Sequence, residues 1–108
     1  VRKPEISVSQ RITEVTVSAL PAEHVNYDLY SVKVQWRGGE TYAVKRLGQV
    51  LDVDGEWDYE PNPSNRDDEW IAAHRFSYEE AVRLATKAAV EKANHYLAAI
   101  RPNLDGAR

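Results

Sequence analysis

The chain has 108 residues, 43% of them hydrophobic and 29% charged, with a formal net charge of -3. That length fits one domain with a single core that needs no metal or disulfide, and the composition is that of an ordinary globular protein. The absence of cysteine excludes a disulfide framework, a thiolate zinc site and a thiol nucleophile, and no apolar run approaches the roughly 20 residues that a membrane span needs.

In chain order, "EISVSQ" (5–10) and "EVTVSAL" (14–20) read as strands, and "PAEHVNYD" (21–28) as a connection. The stretch "YSVKVQWRGGETYAVKR" alternates. Tyr30, Val32, Val34 and Trp36 share one face, and Ser31, Lys33, Gln35 and Arg37 the other, as in a half-buried strand. A three-residue loop, Arg37-Gly38-Gly39, would pair Val34 with Tyr42 and Val32 with Val44. The next stretch repeats the logic. Leu51, Val53, Trp57 and Tyr59 take odd positions, while Asp52, Asp54, Glu56, Asp58 and Glu60 take even ones. A turn at Val53-Asp54-Gly55 pairs Leu51 with Trp57 and Asp52 with Glu56. Two prolines, two asparagines and a serine make "PNPSNRDDE" (61–69) a loop. "WIAAHRF" (70–76) reads as a short extended segment returning to the sheet.

The helix signal is the strongest. "SYEE" (77–80) is a capping box, in which Ser77 accepts from the Glu80 N–H and Glu80 reaches back to that of Ser77. Ala81, Val82, Leu84, Ala85, Ala88, Ala89, Ala93, Tyr96 and Ile100 then form one broad apolar face. Pro102 predicts a stop near Ile100 or Arg101. The expected fold is α+β: an antiparallel β-meander packed against one long C-terminal α-helix. It forms a single domain over 1–108, strand-rich over 5–76, helical over 77–101, with a short tail over 102–108.

Charge is distributed unevenly. Residues 52–69 hold eight Asp/Glu against one Lys/Arg, while residues 1–51 and 70–108 are mildly basic. A calcium loop of the EF-hand type is one explanation. With Gly55 at its sixth position, the first and twelfth would be Val50 and Pro61, which cannot serve as side-chain ligands. His24, His74 and His95 have no ligand at metal spacing along the sequence, and His74, in an apolar segment, reads as a hydrogen-bonded structural residue. No metal and no cofactor are expected. There is no phosphate loop or nucleophile elbow, and exposed alternating acids lack the burial that separates catalytic pKa values. The reading is therefore non-enzymatic.

Two binding classes remain. Lys33, Arg37, Lys45 and Arg46, on strands 31–46, form a weak basic patch for nucleic acid, although the acidic hairpin beside it would repel a phosphate backbone. The favoured class is protein binding through residues 52–70, where Asp54, Glu56, Asp58, Glu60, Arg66, Asp67, Asp68 and Trp70 combine charge for steering with an aromatic anchor. Trp36 and Trp57 are read as core.

Residues 54–84, "DGEWDYEPNPSNRDDEWIAAHRFSYEEAVRLA", resemble a segment of small uncharacterised proteins encoded by phages and prophages of actinobacteria. The likeness rests on Gly55-Glu56-Trp57, Glu60-Pro61, Arg66, Asp68, Trp70 and His74-Arg75-Phe76. It implies an accessory protein of the bacterial host cytoplasm with a host protein as partner, and it carries over no catalytic residue.

Overall fold

The structure is a computed structural model that describes residues 6–106, with side chains to residue 99. Five strands form one antiparallel sheet: β1 (Glu14–Val17), β2 (Val32–Trp36), β3 (Tyr42–Arg46), β4 (Gln49–Leu51) and β5 (Trp57–Tyr59). Their spatial order is β1-β2-β3-β4-β5, a meander. A 3-10 turn (Pro63–Asn65), a short helix α1 (Asp68–Ala73) and a long helix α2 (Tyr78–Gly106) follow. The fold is α+β, as expected. Among the described residues, no helix is long and apolar enough to cross a membrane.

Strand alternation divides the sheet into two faces. Val15, Val34 and Val44 lie on one face, and Leu51 and Trp57 oppose each other on it. Helix α2 covers this face with Ala81, Ala85, Ala88 and Ala89, all buried with Val32, Val34, Val44 and Leu51 in one core cluster. Four alanines hold no side chain beyond Cβ, so the helix axis can settle close on the valines. Val50 and Ala43 lie on the opposite face and are also fully buried. That face is covered near β4 and β5 by the segment around α1: the Val53 N–H donates to the Ala73 carbonyl at 2.9 Å.

Several elements differ from the sequence reading. The β2–β3 register pairs Val34 with Val44 and Trp36 with Tyr42, so the loop is Arg37–Thr41, five residues rather than three. Gly38 (φ 100°) and Gly39 (φ 54°) both take left-handed conformations, and the Thr41 N–H and hydroxyl both donate to the Gly38 carbonyl, closing the wider loop. The register moves by two residues, so every side chain keeps its expected face. The β4–β5 pairing of Leu51 with Trp57 is as expected. Between β3 and β4 the two-residue turn Leu47-Gly48 has positive φ at both positions (49° and 81°), a strained choice for leucine.

Residues 6–10 form no strand. The Trp36 N–H donates to the Thr13 carbonyl, and beyond that point β2 has already turned away, leaving nothing to pair with. Ile6 and Val8 are accordingly 96% and 94% exposed; Glu5 lies outside the described residues. Trp36 is not core either. It stands at a strand end, donates from Nε1 to the Gly39 carbonyl and lies under the Arg11 guanidinium, 4.8 Å from the ring centroid. Trp57 packs at the margin of the core.

Residues 68–73 are helical, where a loop and an extended segment were expected. Asp67 caps this helix by accepting from the Trp70 N–H at 2.7 Å, and the two acids that follow lie in its first turn, where they complement the helix dipole. The chain does return to the sheet, but only at Phe76, which exchanges two backbone bonds with Tyr42. Helix α2 passes through Pro102 to Gly106 instead of stopping at 100–101. Proline deletes one backbone donor but its φ is compatible with a helix.

Half of the capping box forms. Ser77 Oγ accepts from the Glu80 N–H at 3.2 Å, while the Glu80 carboxylate turns outward to Arg83, which holds its pKa below the usual range by direct hydrogen bonding. Ser77→Ala is expected to lower stability by about 1 kcal/mol, read as a lower denaturation midpoint at unchanged slope. An unchanged midpoint would mean that the cap contributes nothing.

Candidate functional site

The even-numbered acids of the hairpin divide into two groups. Asp52 folds onto its own turn, where Oδ1 accepts from the N–H groups of Asp54 (2.9 Å) and Glu56 (2.8 Å). Like charges on facing positions of a hairpin repel, and here the Asp52 carboxylate is held on its own turn by these backbone bonds. Asp58 lies opposite Val50, on the face covered by the α1 segment. Its Oδ2 is 2.7 Å from His74 Nε2. Asp54 and Glu56 at the tip are exposed.

Glu60 continues the parity of Asp58 and enters a cationic cluster. Its Oε1 accepts from Arg37 Nη2 at 2.9 Å and lies 3.4 Å from Arg66 Nη2, while Oε2 lies 3.8 Å from Arg75 Nη2. The Glu60 side chain is 10% exposed, and those of Arg37, Arg66 and Arg75 are 19%, 17% and 9% exposed. One carboxylate therefore serves three guanidinium groups. Burial, then repulsion from Arg37, lowers the Arg75 pKa; Glu60 pulls the other way and Arg66 adds to the repulsion. Backbone carbonyls share the load: Arg66 Nε donates to Pro61 at 2.8 Å and Arg75 Nη1 to His74 at 2.9 Å.

Trp70 joins the two acid sites. Its ring stacks on His74 (centroids 4.0 Å apart, 12° between planes). The Arg66 and Arg75 guanidiniums approach the same ring at 5.8 and 5.5 Å. His74 is 5% exposed, and its Nδ1 lies 2.7 Å from the Trp70 carbonyl. Both ring nitrogens of His74 are thus engaged in hydrogen bonds.

Of the residues singled out for protein binding, Asp58, Glu60, Arg66, Asp67 and Trp70 are engaged within the fold, while Asp54, Glu56 and Asp68 are exposed. The basic patch is also divided. Arg37 belongs to the Glu60 cluster. Lys33 lies 3.3 Å from both Thr16 Oγ1 and Glu14 Oε1, and Arg46 donates to the Leu29 carbonyl at 2.9 Å. Lys33, Lys45 and Arg46 nevertheless share a concavity of about 230 Å³ with Asp28, Ser31 and Gln35.

Sequence reasoning missed His74, Arg75 and Arg37 as partners of the acids. The usable signal was Asp67-x-x-Trp70-x-x-x-His74: a cap three residues before Trp70, then a four-residue step that sets Trp70 and His74 on one side of a helical turn. It also missed a spatial grouping, in which ligand atoms of Asp52, Asp58 and His74 lie within 4.8 Å of one another although the first and last stand 22 positions apart in the chain. Compared with known proteins, the chain matches no family model, no curated protein and no solved structure.

Proposed function

We propose that this is a non-enzymatic accessory protein of phage type that binds a protein of its bacterial host in the host cytoplasm. Its binding surface is the β4–β5 tip and the first turn of α1. The observation that supports this reading is the division of labour among the acids. Asp52 and Asp67 are bonded to backbone N–H groups, Asp58 and Glu60 to side chains, and Asp54, Glu56 and Asp68 remain free on segments that those bonds hold rigid. Val53 (60% exposed) and Tyr59 (79% exposed) add apolar area to the same hairpin. A pre-ordered surface loses little conformational freedom on binding, and its uncompensated charge steers a basic partner toward it.

The combined variant Asp54→Asn, Glu56→Gln, Asp68→Asn tests this. It keeps the internal network, so its melting temperature should stay close to that of the parent, lowered only by the loss of the Asp68 charge at the start of α1. Its association with the protein captured by the parent chain from an actinobacterial lysate should slow by about tenfold at low salt. The difference should shrink as salt screens the charge. Equal association rates at every salt concentration would reject the surface.

The concavity shared by Lys33, Lys45 and Arg46 favours a second reading, a nucleic-acid-binding module. It has lost Arg37 to the Glu60 cluster and carries Asp28 at its rim, both of which weaken its pull on phosphate. A mobility shift with mixed DNA and RNA at low salt separates the two readings: binding supports the second, and its absence the first.

A further inference from the structure

We propose that Asp52, Asp58 and His74 form a binding site for one divalent transition-metal ion, zinc(II) in the first instance, which staples the β4–β5 hairpin to the C-terminal end of α1. His74 Nδ1 is 2.7 Å from the Trp70 carbonyl, which can only accept, so Nδ1 carries a hydrogen. In the neutral ring Nε2 is then a bare lone pair, and it faces a second acceptor, Asp58 Oδ2, at 2.7 Å. Two acceptors at that distance need something between them, either a proton shared by the pair or a metal ion.

The surroundings are those of a ligand set. Metal-bound histidines characteristically donate their other ring N–H to a carbonyl or carboxylate, which fixes the tautomer and the ring orientation. Here the Trp70 carbonyl takes that role, and the stacked Trp70 ring fixes the imidazole plane. His74 is nine-tenths buried and comes from a different element from the two acids, so the group is more than a run of surface carboxylates. Asp52 is held in place by the two N–H groups on its Oδ1, which leaves its other oxygen free. The three donors lie within 4.8 Å of one another. Bonds of about 2.0–2.1 Å in a tetrahedral shell place donors about 3.3 Å apart, so Asp58 and His74 open slightly and Asp52 closes in. Asp58 is partly open to solvent, which provides the entry path and room for a water as fourth ligand. One imidazole and two carboxylates suit zinc, manganese or iron(II) better than the softer metals. As the ion binds, the proton between Nε2 and Asp58 Oδ2 leaves to solvent.

The test is a calorimetric titration of the full chain with zinc chloride, repeated with manganese chloride, in buffer free of chelators. Saturation at one ion per chain, with a rise in melting temperature that EDTA reverses, is the expected result. Asp52→Asn keeps the amide oxygen that caps the turn but removes the carboxylate, so it folds and should bind at least tenfold more weakly. His74→Gln should abolish binding where it folds. In histidine NMR spectra, one equivalent of the ion should shift the His74 ring signals and leave those of His24 and His95 in place. Absence of saturable binding up to about 1 mM ion, equal affinity in Asp52→Asn, or shifts confined to His24 and His95 would each overturn the site and leave an imidazolium–carboxylate pair.

Discussion

Glu60→Gln is expected to destabilise the protein by about 3 kcal/mol, although it changes one oxygen to an amide nitrogen. Glu60 is the shared counter-ion of Arg37, Arg66 and Arg75, and its side chain is 10% exposed. Surface ion pairs are typically worth less than 1 kcal/mol because water and salt screen them. Here screening is poor, and loss of the carboxylate leaves three cations facing each other. Their repulsion is already felt with Glu60 present, since Arg37 and Arg66 both lower the Arg75 pKa. Among the described residues, Arg37 Nε is also buried without a hydrogen-bond partner, so that guanidinium has few other means of compensation. Chemical denaturation gives the value directly. A second substitution, Arg37→Gln, should restore part of the loss in the Glu60→Gln background and be destabilising in the parent. That difference is the coupling energy of the pair. A midpoint that barely moves in Glu60→Gln would show that water screens the cluster as it does a surface bridge.

This cluster also explains much of the acid concentrated in residues 52–69. Alternation placed Asp52, Asp58 and Glu60 on one side of the hairpin, and in an exposed hairpin that side faces water. The reading failed because the covering layer lies later in the chain. Its short helix is capped by Asp67, which the prolines and asparagines before it disguise as part of a loop unless it is read together with Trp70 and His74, and six residues are too few to show an amphipathic period. Once Arg66, His74 and Arg75 from the segment around α1 reach this side, it becomes an interior that holds Val50 together with Asp58 and Glu60. What was legible depended on local repetition: the meander, the Leu51–Trp57 register, the Ser77 cap and the alanine face of α2. Two features depended on where strands stop rather than on the strands themselves. "EISVSQ" has the pattern of a strand, but its residues 6–10 have no neighbour among the described residues, and Trp36 has the parity of the core but stands at the end of its strand.

Trp70→Ala is expected to lower stability by about 2–3 kcal/mol, below the range for a fully buried aromatic because the ring is only half-buried. The effect should be local. A helix of six residues does not stand alone in water and is held by its tertiary contacts. Trp70 provides most of those identified for α1: the stack on His74 and the approach of Arg66 and Arg75. Without the ring, His74 loses the support that aims Nε2 at Asp58, and the two guanidiniums lose the surface against which they fold toward Glu60. Hydrogen exchange should therefore show the amides of Trp70 to His74 and the Val53 N–H opening together, while β2 and β3 keep their protection. Trp70→Phe, which keeps an aromatic face, should recover more than half of the loss. Uniform loss of protection across the sheet would show instead that α1 and the meander unfold as one unit. The same variant bears on the binding surface. It leaves Asp54, Glu56 and Asp68 in the chain but frees Asp68 and breaks the Val53–Ala73 link that ties the tip to α1, so partner capture should weaken through the entropy of re-ordering. Capture at the parent's strength by a chain whose α1 is open would mean that the acids act as a flexible tether and that the rigid tip is not the recognition element.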